Sequence, residues 1–570
     1  MNLINFSKAN CRSCYKCIRI CPVKAIKFKD DQAEIVEDRC IACGQCLIEC
    51  PQNARYIKSD VLKVKEAIEN KKVIATIAPS FAGAFDMTDE GQIVTALKTL
   101  GFDIVEETAV GARIVTAEYN NILTDWKYNN VITTCCPSAN YLIERYFPSL
   151  TKYMLPVVSP MLAHGKVLKH IYGMESFVVF LGPCTAKKYE AIDFQHDGII
   201  DAVVTFEEFA LWLKEENIDI KSLESQKFDR RSVAIGRKYP VKNGVISGLM
   251  PWCTKNGFEP ITVDGIEDCV KIMKEIENGD IKNVCVEVNI CRGSCSGGPG
   301  MPDGQDNYFK CQSKVKEYMK KSGGDTVCEN VDLSKIDFAN TFLDKSIAEK
   351  KVSDDEIRKI LKSMGKYEDR DELNCGVCGY DTCREKAIAI YNGMAETNMC
   401  LNYMRNKAES LTNVIFGNSP NIIIILDEDL NIIEFNPAAE KAFKIESEYI
   451  KNKPISIILG NNELIEALSS KEDIFSQKAS YKEYDLITLQ NIIHLEKQGI
   501  ILLIMSDSTE EEKNKKELKM VKENTLNAAQ EVIDKQMRVV QEIASLLGET
   551  TAETKVILTK LKKIAEGEEN

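Results

Sequence analysis

The apolar positions of this chain change pattern several times along its length. Between residues 61 and 345 they gather in short runs that end in Gly, Pro or Ser: KKVIATIAPS, NNVITTCCPS, SFVVFLGPC and KNVCVEVNIC. Runs of this length predict strands buried on both faces, with helices between them, and so an α/β sheet. A charged stretch, AEKKVSDDEIRKILKSMGKYEDRDEL, then predicts a helix and linker, followed by a small cysteine-rich segment at 373–400. From 420 to 507 β-rich runs alternate with short helical ones. Beyond 511 the chain is charged and helical in period. Ile533, Met537, Val540, Ala544 and Leu547 recur at steps of 4, 3, 4 and 3, a heptad seam. Thr551, Thr554, Leu558, Leu561 and Ala565 continue it more weakly, with a kink at Gly548.

Residues 1–60 stand apart through an internal repeat. Cys11, Cys14, Cys17 and Cys21 recur 29 residues later as Cys40, Cys43, Cys46 and Cys50, and each half ends in Cys-Pro. The expected organisation is multidomain α/β and α+β. It comprises 1–60, a two-cluster cysteine domain; 61–345, an α/β catalytic domain; 346–405, a small four-cysteine domain; 406–510, a mixed domain; and 511–570, a helical tail.

Cysteine changes the picture most. Of 570 residues 22 are cysteine, most in tight clusters, and no apolar export signal opens the chain. Such clusters predict metal ligands rather than disulfides, in a reducing cytoplasm. The net charge of −13 argues against nucleic acid as a partner. The longest aliphatic runs, such as NIIIIL, are too short to span a membrane.

The spacing C-x2-C-x2-C-x3-C-P, twice, is that of 4Fe-4S ligation, in which the fourth cysteine of each half serves the other cluster. Cys11, Cys14, Cys17 and Cys50 are expected to hold one cubane, and Cys21, Cys40, Cys43 and Cys46 the second. Zinc is the competing metal. The segment resembles bacterial two-cluster ferredoxins, which implies electron transfer.

Four more cysteines fall at strand ends: Cys136, Cys184, Cys291 and Cys295. A helical turn would put Cys291 and Cys295 on one face. The four could hold a further cubane, or be buried structural thiols. The motifs TTCCP, PCTAKK and CRGSCSGGPGMP resemble those of the iron-only (FeFe) hydrogenases over residues 70–305. The resemblance implies reversible H2 oxidation and proton reduction. Cys136, Cys184, Cys291 and Cys295 would hold the cubane, and Cys295 would bridge to a two-iron subsite carrying CO and cyanide. It further implies Lys187 at cyanide, Ala78, Pro79 and Ser80 at the distal iron, and Cys135 as proton donor.

Several positions depart from that family. An ungapped count from Cys135 puts Glu118 on one relay glutamate, but Val115 and Leu155 on the other glutamate and the serine. Ser159 and Glu144 lie near in sequence without matching those positions. Gly182 and Asn289 stand where the family has methionines, and Gly298-Pro299-Gly300-Met301-Pro302 alters its glycine-rich end. Slow turnover is the expectation.

Cys375, Cys378, Cys383 and Cys400, spaced C-x2-C-x4-C-x16-C, resemble a small four-cysteine iron–sulfur domain and predict a fourth 4Fe-4S cluster, with zinc the alternative. Cys253, Cys269, Cys285, Cys311 and Cys328 show no ligand spacing and are assigned as structural. The segment FGNSPNIIIILDEDLNIIEFNPAAEKAFKI resembles the opening of a PAS domain, with DLITLQNIIHLEKQG and IILLIMSDSTEEE as later strands. PAS motifs do not specify a ligand. His494 is a haem ligand or a structural strand histidine. A PAS domain followed by a heptad helix implies a signalling homodimer. With no kinase, phosphatase or DNA-binding segment after it, output is expected in trans, on a regulatory kinase or phosphatase. Together these features resemble the sensory branch of the hydrogenase family. The alternatives are a metabolic enzyme working with a ferredoxin, or a cluster-bearing regulator without the two-iron centre.

Overall fold

The structure is a computed structural model. It describes residues 4–7, 10–30, 32–230, 234–302, 308–320, 331–347, 352–459, 472–496, 498–547 and 552–565. Cys328, Gly548 and Thr551 lie outside these residues, as do the side chains of Ala544, Leu547, Thr554 and Ala565. The chain divides into two compact units, Met1–Tyr403 and Met404–Asn570.

The first unit opens with two antiparallel ribbons. β1 (Ile4–Phe6) pairs with β4 (Arg55–Ile57), and β2 (Ile26–Lys29) with β3 (Gln32–Ile35). The 29-residue repeat is written into the backbone as well as into the cysteines. Left-handed residues recur as Ser13 and Ala42, Tyr15 and Gly44, Lys24 and Asn53.

Two parallel sheets follow. β5 (Val73–Ile77), β6 (Ile104–Glu107), β8 (Phe177–Gly182) and β9 (Ala202–Thr205) form one, in the order β6-β5-β8-β9. β7 (Asn130–Ile132), β10 (Glu259–Asp264) and β11 (Val284–Asn289) form the other, in the order β10-β11-β7. The four apolar runs of the sequence are β5, β7, β8 and β11. Every residue of each is buried, because helices cover both faces of a parallel sheet. Of the remaining strands, β6 and β10 carry acidic residues that mask the signal, and β9 is only four residues long. Cys253, Cys269, Cys285 and Cys311 are buried in these cores. The charged stretch after 346 forms helix Asp354–Ser363, capped by Ser353 and Glu356.

The second unit is a five-stranded antiparallel sheet, ordered β13-β12-β16-β15-β14. Its strands are β12 (Ile422–Asp427), β13 (Ile432–Phe435), β14 (Ile474–Tyr481), β15 (Leu486–Leu495) and β16 (Ile500–Asp507). Asn436 Oδ1 accepts from the Ile423 and Ala439 amides, which ties β12 to helix Pro437–Phe443. Asp427 accepts from the Asn431 amide in the acidic turn. His494 lies on β15 with its Nδ1 3.8 Å from Asp473. The sheet leads into helix Thr509–Leu547, on which Ile533 and Met537 are half-buried and Val540 and Ile543 exposed.

Candidate active site and cysteine clusters

The carboxyl ends of both parallel sheets open onto one cavity, the usual position of a site in such sheets. β5 delivers Ala78, Pro79 and Ser80; β7 delivers Cys135 and Cys136; β8 delivers Cys184 and Lys187; β11 delivers Cys291 and, through a tight turn, Cys295. All nine line the cavity. The two neighbouring thiols diverge because Cys136 is extended and caps helix Pro137–Tyr146, with Pro137 as its first residue.

Cys291 and Cys295 do not share an α-helical turn. Gly293 and Ser294 are both left-handed (φ 76° and 55°), and a 3-10 segment, Ser294–Gly297, follows. The expected geometry is therefore corrected, although both thiols still face the cavity. Burial pushes the Cys184 thiol up to about 11 and the Cys135 thiol up to about 12. Cys136, Cys291 and Cys295 are raised for the same reason. Thiols buried together in this way are suited to bonding cationic iron, which supplies the opposite charge.

Lys187 is buried, and its ammonium donates to Glu190 Oε2 at 2.6 Å. Burial works against that charge, but the carboxylate and its hydrogen bond hold the lysine above its ordinary value. The Ser159 hydroxyl donates to the same oxygen at 2.9 Å. Ser80 is fully buried, and its hydroxyl has no hydrogen-bond partner among the described residues. A buried hydroxyl left unpaired costs about 1–3 kcal/mol, so a polar ligand in the cavity would offset it. The thiols, the ammonium and this orphan hydroxyl fit an anionic iron group bearing polar ligands.

Glu118 is not at the site. It is half-buried on helix Ala109–Leu123 and absent from the cavity wall. The neighbouring Tyr119, also outside the cavity wall, reaches Cys135 instead: its phenol oxygen is 3.3 Å from Sγ. Counting along the chain could not reveal this contact, because the fold brings the phenol to a thiol 16 residues away. Val115 and Leu155 are fully buried apolar residues. Glu144 faces Lys345 at 3.1 Å instead of the cavity. At Gly182 an added Cβ would sit 2.6 Å from the Phe180 ring, and Phe180 lines the cavity. The aromatic ring fills the space a side chain at 182 would need. Asn289 lines the wall too and donates to Glu287.

The other clustered cysteines form three further sets. Cys40 raises the pKa values of Cys21, Cys43 and Cys46, and Cys21 those of Cys43 and Cys46, beneath the dominant effect of burial. Cys17 interacts with Cys11 and Cys14 and lies 3.6 Å from Arg55 Nη2. The Ala54 amide donates to Cys50 Sγ, as the Ala25 amide does to Cys21 Sγ. Cys375, Cys378, Cys383 and Cys400 line one cavity together with Lys366 and Lys386.

The groups lie in series. Cys43 and Ala42 reach the wall of the cysteine cavity, and the Thr185 hydroxyl donates to the Ala42 carbonyl. On the other side, Cys378 and Tyr380 pack with Cys17, Cys21, Cys40 and Cys46 in one apolar cluster. Lys24 Nζ donates to the Gly379 carbonyl at 2.8 Å, and the Phe28 amide to that of Met394 at 2.9 Å. No pattern in the chain announces this second contact, which joins segments some 350 residues apart.

These cysteine groups define an iron–sulfur protein. Residues 71–299 match the family model for the iron only hydrogenase large subunit, C-terminal domain. Residues 3–51 match a 4Fe-4S dicluster domain, 371–401 an Fe-S cluster model, and 410–478 a PAS domain. Iron hydrogenase 1 of Clostridium pasteurianum is 26% identical over 298 residues, 42% of this chain and 52% of that protein. The chain thus spans about half the length of that relative. The periplasmic [Fe] hydrogenase large subunit of Nitratidesulfovibrio vulgaris is 28% identical over 369 residues, 53% of this chain and 87% of that protein. A solved FeFe-hydrogenase from Chlamydomonas reinhardtii aligns at 18% identity and a TM-score of 0.41, over 51% of this chain and 100% of its own. The chain therefore carries the C-terminal domain of an iron-only hydrogenase joined to a 4Fe-4S dicluster domain and a PAS domain. No helix among the described residues is long and apolar enough to cross a membrane.

Proposed function

We propose that this chain is a sensory FeFe hydrogenase of low turnover. The reading rests on one observation: Cys135, Cys136, Cys184, Cys291, Cys295, Lys187 and the Ala78-Pro79-Ser80 turn line a single cavity. Cys136, Cys184, Cys291 and Cys295 would hold a cubane, with Cys295 bridging to a diiron subsite that carries CO and cyanide. That group, when bound, supplies the interconversion of H2 with protons and electrons.

The chain's own residues supply the rest. Lys187 offers a charge-assisted donor to cyanide, and Ser80 a neutral one. Cys135, kept protonated by burial, holds a proton at its Sγ beside the reacting centre. Phe180 and Met161 help keep the wall apolar. Slow turnover follows from the relay. Cys135 meets the phenols of Tyr119 and Tyr239, the positions counted for a glutamate and a serine hold the apolar Val115 and Leu155, and among the described residues no carboxylate hydrogen-bonds to Cys135 or Tyr119. The ferredoxin-like cysteines would hold two 4Fe-4S clusters and Cys375, Cys378, Cys383 and Cys400 a third, carrying electrons to or from the cavity.

The PAS domain and the heptad pattern of helix Thr509–Leu547 support a homodimer that signals in trans to a regulatory kinase or phosphatase in the cytoplasm. The decisive experiment is infrared spectroscopy of protein matured with a diiron precursor. CO and cyanide bands are expected in the wild type and in Cys135→Ala, and none in Cys136→Ala. Absent bands in the wild type would leave a cluster-bearing regulator. Deleting residues 405–570 tests signalling: H2-dependent gene expression that survives the deletion would leave a metabolic hydrogenase.

A further inference from the structure

The four-cysteine cavity holds two lysines that its ligand role does not explain. Lys386, on helix Cys383–Tyr391, is only 2% exposed, and Lys366 only 5%. Lys386 Nζ donates to the Thr397 carbonyl at 3.2 Å and Lys366 Nζ to the Asp371 carbonyl at 2.6 Å. Neither has a carboxylate partner among the described residues. Asp371, which feels the Lys366 charge without pairing with it, accepts from the Tyr367 and Glu368 amides, and Glu385 from those of Asp381 and Thr382. A buried ammonium without a counter-ion costs several kcal/mol, and two that share a cavity repel each other. Such a pair persists where an anion faces it. The groups opposite are the thiols of Cys375, Cys378, Cys383 and Cys400.

We propose that Lys366 and Lys386 are the charge partners of the cluster held by these four cysteines, and that they set its reduction potential above those of the two ferredoxin-like clusters. This deepens the electron-relay reading above and rests on it. A thiolate-ligated cubane is anionic, and reduction adds one more negative charge. Fixed cations beside it therefore favour the reduced form, and net charge is one of the factors that tune such potentials. Around the ferredoxin-like pair the only buried cation among the described residues is Arg55, 8% exposed and close to Cys17; Arg145 beside Cys40 and Lys24 beside Cys21 are half-exposed, where solvent screens their charge. An electron entering the series comes to rest at the far end, in the cluster ligated by Cys400. The next residue begins helix Leu401–Asn418, which leads in sequence to the PAS domain. The resting place of the electron is thus the cluster nearest in sequence to the sensor.

The full-length chain, reconstituted anaerobically with iron and sulfide, would be titrated potentiometrically and followed by electron paramagnetic resonance. The signal lost in Cys400→Ser identifies the C-terminal cluster. In the wild type this cluster is expected to reduce first of the three accessory clusters. Lys386→Met should lower its midpoint by at least a tenfold change in the reduced-to-oxidised ratio, about 59 mV for one electron. Lys366→Met should lower it further, Lys386→Arg should retain the wild-type value, and the ferredoxin-like midpoints should stay fixed. If Lys386→Met fails to load a cluster, Lys366→Met and Lys386→Arg carry the comparison. A loaded cluster whose midpoint ignores both lysines, or one that reduces last, overturns this inference alone. A site that takes zinc and shows no redox transition overturns the relay reading with it.

Discussion

Tyr119 Oη lies 3.3 Å from Cys135 Sγ, and the same oxygen accepts the Thr134 amide at 2.9 Å. The Thr134 hydroxyl spends its own proton on the Leu155 carbonyl, so the phenol proton is directed to Thr134 Oγ1 or to the thiol. Tyr119→Phe removes this junction. The Thr134 amide is left buried and unpaired, at a cost of about 1–3 kcal/mol. The expected outcome is a lower melting temperature and a shifted S–H stretching band of Cys135 in the infrared. An S–H band unchanged from wild type would mean that the phenol does not engage the thiol.

Lys187 and Glu190 form a pair in the wall between two cavities, since Lys187 faces the cysteine cavity and Glu190 the neighbouring one with Glu144 and His196. Removing one partner of a buried pair leaves the other charge uncompensated, worth roughly 3–5 kcal/mol. Glu190→Ala should therefore destabilise the first unit by about that much. Glu190→Gln, which keeps an acceptor for Ser159 and Lys187, should cost less. Calorimetry on protein without the diiron group reads this directly, and equal melting of all three proteins would show that the pair carries no net stability.

Much of the site was legible in sequence because it is built from local signals. Doubly buried strands show as unbroken apolar runs, and cluster ligands keep fixed spacings, so β5, β7, β8 and β11 and their terminal residues could be placed without coordinates. What was hidden depended on register or on distant chain. Glu118 and Tyr119 are neighbours on one helix, and only the fold decides which of them turns toward Cys135. Cys291 and Cys295 were assigned a helical turn by their spacing, but left-handed Gly293 and Ser294 bend the chain more tightly. The packing of residues 373–400 on the ferredoxin-like cysteines rests on hydrogen bonds between segments far apart in the chain, which no periodicity announces.

Glu287 sits fully buried in β11, accepting from the Ile246 amide at 2.8 Å and from Asn289 at 3.0 Å. Burial outweighs those bonds and pushes its carboxyl up to about 7. Its folded value thus lies above its unfolded one. The folded protein keeps this proton between about pH 4.5 and 7, where the unfolded chain has lost it. The stability it contributes is present at low pH and is lost as pH rises through that window, by roughly 3 kcal/mol in all. Glu287→Gln should remove this loss. Difference infrared spectra should show a protonated carboxyl band with a midpoint near neutrality, missing in the variant. A band that titrates unchanged in Glu287→Gln belongs to another group.

Gly379 fixes the contact between the C-terminal four-cysteine segment and the ferredoxin-like domain. Its φ of +97° is one that L side chains rarely adopt, and a Cβ there would meet Ile18 Cγ2 at 2.7 Å and the Arg19 amide at 3.2 Å. Ile18 is itself fully buried and cannot swing aside. Gly379→Ala must therefore strain the turn or push the two segments apart, loosening the Lys24 contact at the Gly379 carbonyl. Cluster ligation need not change, because the four cysteines lie on their own segment. The expected outcome is a full iron content with weaker magnetic coupling between the C-terminal and ferredoxin-like clusters, and slower equilibration of electrons between them. Coupling equal to wild type in a fully loaded variant would show that the contact at Gly379 does not set the distance between the clusters.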